Sequence, residues 1–431
     1  MKEIQVGLLG LGTVGSGVVK IIENHQDRLR HQIGCPVKIS KVLVREIDKE
    51  RAVQLSPDLL TTNVHDIISS PDINVVIEVM GGLHDAREYI LTALRNNKHV
   101  VTANKDLMAV YGTELLSVAK ENRCDLFYEA SVAGGIPILR SIVDGLSSDR
   151  ITKMMGIVNG TTNFILTKMS NEGSSYEDVL KEAQELGYAE ADPTSDVEGL
   201  DAARKMTILA TLGFSANVEL EDVKVKGITR ITEEDLNYSK SLGYTMKLIG
   251  LAKRDGEKLE ISVEPTLLAN NHPLASVNNE YNAIYVYGEA VGETMFYGPG
   301  AGSLPTATAV VSDLVAVMKN MRLGVNGNSA VSPQYPKVLK EDHEISVKHF
   351  LRIHVKDEVG VFAQVTSLFS QYGVSFEKII QVPLLETNTA EVVIVTHRAS
   401  LADYNTILQK LQELESIEGI KASYRIEGDR K

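Results

Sequence analysis

An α/β chain is predicted, opening on a doubly wound parallel sheet, continuing into an α+β region and ending in a small βαββαβ module. Three observations carry this. A short apolar strand, residues 4–9, runs directly into Gly10-Leu11-Gly12-Thr13-Val14-Gly15 and then into an amphipathic stretch with Val18, Val19, Ile21 and Ile22. Apolar strand-like runs then alternate with helix-periodic ones through residue 130, the βαβ pattern of a parallel sheet. Beyond residue 347 the same two periods recur in the order strand, helix, strand, strand, helix, strand.

The glycine turn comes first. Gly10 permits a tight turn, Gly12 lets backbone approach a pyrophosphate, and Gly15 allows close helix–strand packing, so phosphates can sit at the helix N-terminus. Gly10, Gly12, Thr13, Val14 and Gly15 are therefore candidate ligands of a nicotinamide or flavin nucleotide, and the N-terminal domain, residues 1–130, is Rossmann-type. Further strands are expected at 37–44, 74–79, 98–102 and 126–129, with helices at 86–97 and 107–122. Ligands of such sheets bind beyond the carboxyl ends of the strands, which points to Arg45, Met80-Gly81-Gly82, Ala103-Asn104-Lys105 and Glu129 onward.

Arg45 stands where an NADP enzyme places an arginine near the 2′-phosphate, so NADP(H) is preferred. Glu46 beside it can serve as the ribose acid of an NAD enzyme, which keeps NAD(H) open. Lys105 ends a buried-looking strand at the sheet's active edge, from which a lysine can reach a substrate carbonyl or carboxylate. It can equally be a surface residue that starts a helix.

At 431 residues the chain has room for two or three domains. A net charge of -13 argues against nucleic acid or an anionic membrane as partner, since binding of that kind needs clustered Lys and Arg. Cys35 and Cys124 lie far apart without metal-ligand spacing, which suits a reducing cytoplasm. Glu3 and the glycine turn interrupt any signal-peptide pattern at the start, and no run approaches a membrane span.

Residues 187–205 hold the densest chemistry. Glu190, Asp192, Asp196, Glu198 and Asp201 gather with no cation until Arg204, and such a cluster repels itself unless a substrate ammonium, a metal ion or a lysine joins it. Leu200 onward reads as a helix, which places Asp201 and Lys205 at i, i+4 on one face. A solvated acidic loop followed by an ordinary helical ion pair is the plainer alternative.

Six segments together resemble homoserine dehydrogenases over residues 1–325: Gly10 to Gly15, Thr102 to Lys105, Glu129 to Pro137, Asn159 to Phe164, the 187–205 block, and Gly298-Pro299-Gly300-Ala301-Gly302. The resemblance implies reversible reduction of L-aspartate 4-semialdehyde to L-homoserine by a nicotinamide nucleotide, on the branch to threonine, methionine and isoleucine. It implies Lys205 as proton donor, Lys105 as a second active-site lysine that also lies at the cofactor, and Glu190, Asp196 and Asp201 as substrate carboxylates. It further implies Gly302 against the nucleotide, and a structural sodium ion held by the Glu129 carboxylate and the carbonyls of Val132, Gly134 and Ile136.

The catalytic and dimerisation domain is expected over residues 131–306, with strands at 153–158, 259–265 and 283–291 and helices at 164–169 and 176–186. A helix at about 307–322 returns to the nucleotide domain. Residues 327–347, with Pro333 and Pro336, read as a linker to a separate module at 348–427. That module is ferredoxin-like, and Asp357-Glu358-Val359-Gly360-Val361-Phe362 resembles an ACT domain, which implies an amino-acid effector, here L-threonine, and a homodimer or homotetramer. A passive dimerisation module is the alternative. Two other functions compete: a cysteine-dependent semialdehyde dehydrogenase, which needs a thiolate, and a non-catalytic amino-acid sensor, which leaves Lys105 and the acidic block unexplained.

Overall fold

A computed structural model describes residues 3–327, 333–384 and 386–428. Two compact units emerge: Met1–Met154 with Ala202–Val223 and Asn282–Lys337, and Met155–Asp201 with Lys224–Tyr281 and Val338–Lys431.

The chain starts with β1 (Ile4–Leu9), α1 (Thr13–Asn24), α2 (Gln26–Ile33), β2 (Val37–Leu43), β3 (Leu60–Thr61), α3 (His65–Ile68), β4 (Val75–Glu78), α4 (His84–Arg95), β5 (His99–Thr102), α5 (Lys105–Glu121) and β6 (Leu126–Phe127). These six strands are parallel in the order β3-β2-β1-β4-β5-β6. The direction of winding reverses between β1 and β4, so the glycine turn after β1 sits at the switch point where such sheets take their ligand. All four residues of β4 are buried, which is why it reads as a continuous apolar run without alternation. Two-residue β3 carries no period and escaped the sequence.

Next come α6 (Ile138–Arg140), β7 (Ile151–Ile157), α7 (Gly160–Glu172), α8 (Tyr176–Glu185), α9 (Thr194–Val197), α10 (Leu200–Phe214), β8 (Lys224–Val225), α11 (Glu233–Ser241), β9 (Tyr244–Asp255), β10 (Lys258–Ala269), β11 (Tyr281–Gly288), β12 (Gly292–Pro299) and α12 (Ser303–Leu323). In the first unit α12 packs on α1: Val310, Leu314, Val317 and Met318 join Val18, Val19 and Ile22 in one core. A Cβ at Gly17 would meet the Ser303 carbonyl and Ala307, so this approach requires glycine.

The chain closes with β13 (Val338–Leu339), β14 (Ser346–Lys356), α13 (Val361–Gln371), β15 (Phe376–Leu384), β16 (Thr389–Thr396), β17 (Ala399–Ser400), α14 (Leu401–Gln412) and β18 (Ile417–Glu427). Its strands run β18-β14-β16-β15 with antiparallel neighbours, the ferredoxin-like arrangement. Leu351, Ile353, Val365, Phe369, Ile394, Ile407 and Leu411 form its core.

This module is stitched into the second unit rather than hung from a free linker. Strand β18 pairs in parallel with β10, Arg425 opposite Thr266, and β13 pairs with the other end of β10 at Lys258 and Leu259. The stretch expected as a linker thus contains a paired strand and a short helical turn at Asp342–Glu344, while its residues 328–332 lie outside those described. Buried Arg425 reaches Glu260 at 2.5 Å and Glu427 at 3.0 Å. Buried Arg352 reaches Asp235 at 2.8 Å and Glu391 at 2.6 Å.

Candidate active site

The first unit builds the nucleotide side. Gly10 has φ +103, and a Cβ there would press on Val79 and Met80; a Cβ on Gly15 would strike the Gly10 carbonyl. Gly12, the N-cap of α1, has no atom within 4 Å of where its Cβ would be. The first turn beyond it, Thr13-Val14-Gly15, contains no acidic residue, and no side chain caps it. A helix start with free amides, open approach and no negative charge fits a pyrophosphate. Gly302, φ +116, is the N-cap of α12, and Ser303 Oγ next to it donates to the Thr13 carbonyl at 2.7 Å, so the second glycine turn is fastened to the first.

The remaining carboxyl-end residues line up on the same edge. Glu78, fully buried at the end of β4, accepts from Met80 N, Gly81 N and Thr102 Oγ1 at 2.9, 3.1 and 2.6 Å. Burial pushes its carboxyl up against the pull of those donors. Asn104 caps α5 from Leu107 N and donates to the Gly82 carbonyl at 2.7 Å, so the 80–82 loop and the start of α5 are tied. Lys105, partly buried, is the first residue of that helix. Arg45 is exposed just past β2, on the carboxyl edge of the sheet.

Glu129 begins a short helical turn after β6 and accepts from Leu139 N and Arg140 N, both at 2.8 Å, while burial pushes its carboxyl up. Asp313 of α12, which sequence reasoning missed, backs it by accepting from Glu129 N and from Arg140. Val132, Gly134 and Ile136 follow in a tight loop with left-handed Ala133 and Gly134, and Gly134 leaves no room for a Cβ against Gly300. One carboxylate and backbone carbonyls are hard oxygen donors, the chemistry that suits a hard cation. Among the described residues no group of three His, Cys, Asp or Glu side chains could hold a metal.

The second unit sorts the acidic block. Asn159, the N-cap of α7, accepts from Thr162 N and donates from Nδ2 to Asp196 Oδ1 at 2.7 Å and to Asp201 Oδ2 at 2.8 Å. One amide thus gathers two carboxylates, and Asp201 is only 2 % exposed. Neutral donors thus relieve part of the expected self-repulsion. Asp192 takes Thr194 N and Oγ1, which hold its carboxyl below the usual range, Glu198 accepts from Thr229, and Glu190 is solvated. Asn159 is the residue the acidic pattern does not reveal; its signals are an Asn preceding a helix start and its place in the Asn159 to Phe164 segment that carries the family resemblance.

Helix α10 forms as expected, so Lys205 lies one turn beyond Asp201 and is 9 % exposed in the first unit, where Arg204 pairs with Asp106 at 2.8 Å. A thiol route finds no support: Cys124 is buried, and burial pushes it up to about 11, the reverse of an activated nucleophile.

Comparison with known proteins shows the family. Family models match for homoserine dehydrogenase over residues 137–315, for its NAD-binding domain over 10–129, and for an ACT domain over 349–416. The chain is 69% identical to the homoserine dehydrogenase of Bacillus subtilis, over 100% of this chain and 99% of that one. It matches the crystal structure of a homoserine dehydrogenase from Thiobacillus denitrificans with a TM-score of 0.94 at 38% identity, covering 99% of each chain. A hyperthermophilic archaeal homoserine dehydrogenase in complex with NADPH matches 73% of this chain and 98% of its own, at 25% identity and a TM-score of 0.61. On the evidence of its glycine turns, its Asn159-gathered carboxylates and these matches, the chain belongs to the homoserine dehydrogenase family.

Proposed function

We propose that this NAD(P)-dependent enzyme reduces L-aspartate 4-semialdehyde reversibly to L-homoserine with NADP(H) as preferred cofactor, in the cytoplasm, under restraint by L-threonine. The observation that carries the reading is Asn159 holding Asp196 and Asp201 together one helical turn ahead of Lys205. When bound, the nicotinamide supplies the hydride. Lys205 then donates the proton that the developing alkoxide needs, and its positive charge stabilises that oxygen beforehand. Asp196 and Asp201, with Glu190, take the substrate α-ammonium. Lys105 takes its carboxylate or relays a proton.

Exposed Arg45 beside the ribose position supports the NADP preference, since a guanidinium pairs with a 2′-phosphate in a way that NAD cannot reward. The archaeal relative solved with NADPH supports it too. A sodium ion held by Glu129 and the carbonyls of Val132, Gly134 and Ile136 would lock that loop, a structural role. The ACT match supports an amino-acid effector, and we assign the protein a homodimer or homotetramer. Two free cysteines, both buried, suit a reducing compartment. The test is NADPH absorbance with aspartate semialdehyde, with and without phosphate. Phosphate-independent oxidation yielding homoserine is expected, whereas phosphate-dependent activity would place the chain among semialdehyde dehydrogenases.

A further inference from the structure

We propose that Glu78 is a positioning residue for the reaction: a closed ring of hydrogen bonds runs from its carboxylate through the Met80-Gly81-Gly82 loop, Asn104 and Thr102, and fixes where Lys105 stands. The proposal rests on Lys105 serving the substrate, as read above.

The ring is built at the carboxyl ends of β4 and β5, which pair in register so that Glu78 lies opposite Thr102. One carboxylate oxygen, Oε1, accepts from Met80 N at 2.9 Å and from Gly81 N at 3.1 Å. The other, Oε2, accepts from the Thr102 hydroxyl at 2.6 Å. Thr102 Oγ1 accepts in turn from Asn104 N at 3.0 Å, and Asn104 Nδ2 closes the ring by donating to the Gly82 carbonyl at 2.7 Å. With its Oδ1 the same Asn104 caps α5 at Leu107 N, so the helix that begins at Lys105 starts from the ring itself.

Two observations give the ring a role beyond folding. Glu78 is fully buried and accepts three hydrogen bonds from two amides and a hydroxyl, the pattern of a carboxylate met by neutral donors. That is a costly group at the end of a buried strand, where an apolar side chain would serve the fold better. The loop it holds, moreover, faces open space. Gly81 and Gly82 have φ of +73 and +81, and no atom lies within 4 Å of where either Cβ would be. On its inner side the loop abuts the first glycine turn, since a Cβ on Gly10 would press on Met80. A glycine pair without packing around it has many conformations open to it, and here the bonds from Glu78 and Asn104 select one. One carboxylate thereby sets both the backbone beside the nucleotide turn and the backbone that carries Lys105. Reaction rates depend on alignments of that kind to within about 1 Å.

The test compares the full chain with three variants. Thr102→Val is isosteric and lacks the hydroxyl, Glu78→Gln keeps an oxygen for the amides but turns a donor on Thr102, and Thr102→Ser keeps the hydroxyl. Amide hydrogen exchange of residues 79–82, NADPH affinity without substrate, and turnover with its primary deuterium isotope effect from nicotinamide-deuterated NADPH are measured. In Thr102→Val and Glu78→Gln the loop amides should exchange about tenfold faster, as local opening becomes easier. Turnover should fall about ten- to a hundredfold with a larger isotope effect, because misalignment slows hydride transfer relative to product release. NADPH affinity should change less than about threefold, since the pyrophosphate stays on the Gly10–Gly15 turn. Thr102→Ser should recover most of the loss seen with valine. The double change should cost little more than either single one, since both open the same ring.

Folded variants with unaltered turnover and isotope effect, or with a lowered melting temperature as their sole defect, would overturn the proposal and leave Glu78 a structural residue. So would a loss of NADPH affinity as large as the loss of turnover. If Glu78→Gln fails to fold, Thr102→Val opens the same ring and decides. Inactivity of the unaltered chain on aspartate semialdehyde would sink the catalytic reading, whereas failure of the ring alone shows as normal variants of an active chain.

Discussion

Lys205 is a buried ammonium on a helix whose previous turn carries a carboxylate tied to Asn159, and that is a costly place for a charge with no task. Replacing it by methionine keeps the volume and removes the proton. Turnover should fall about 100- to 10,000-fold, the range for losing a general acid, with the melting transition retained. A rise in KM at unchanged turnover would make Lys205 a binding residue instead. Arg45 contrasts with it, being exposed and placed by the edge of the sheet rather than by packing. Arg45→Ala should weaken NADPH about ten- to a hundredfold, as expected for a charge-assisted hydrogen bond, and leave NADH nearly unchanged. Equal losses for both would show that Arg45 supports the adenosine generally and does not discriminate.

Among the elements, α12 does more than return to the nucleotide sheet, because it delivers Asp313 beneath the Glu129 turn. Burial pushes the Asp313 carboxyl up to about 7, against the pull of Arg140. Between the ordinary carboxylate range and that value the folded protein holds a proton that the unfolded chain has released. Stability should therefore fall as pH rises from about 4 to about 7 and level off above. The Asp313→Asn variant should lose less on going from about pH 5 to about pH 8, by roughly 1–3 kcal/mol in urea titrations. Identical slopes would mean that Arg140 already keeps the carboxyl charged. Asp313 was invisible in the sequence because it lies 184 residues from the amide it holds. The glycine turns, the position of Lys105 past β5 and α10 were legible because each depends on local spacing. Strand β9 was not: Lys247, buried within it on Asn163 Oδ1 and the Val277 carbonyl, breaks the apolar run that would have marked a strand. Asn163 and Val277 are its reason, and both are distant in sequence.

For the molecule as a whole, the C-terminal module raises the question of whether the catalytic chain can stand without it. A complete βαββαβ set after a proline-containing stretch suggests an excisable domain, and a chain ending near Gly327 would then keep its core and its basal activity. The second unit argues otherwise. Truncation strips β18 and β13 from β10, leaves a long strand edge open, and removes the Arg425 charge that compensates buried Glu260. It also takes Arg352 from Asp235, which is fully buried. Breaking one buried pair typically costs about 3–5 kcal/mol, and a domain has only about 5–15 kcal/mol to lose. Two solved relatives match 73% of this chain over 99% and 98% of their own length, so relatives about a quarter shorter than this chain exist. In this chain the loss should instead appear as aggregation or a melting temperature lowered by many degrees. Adding Glu260→Leu and Asp235→Asn to the truncated chain should recover part of that loss, because the stranded charges are then gone. A truncated chain that melts where the full chain does, with full turnover, would show that β10 tolerates an open edge and that the module is a separable attachment after all.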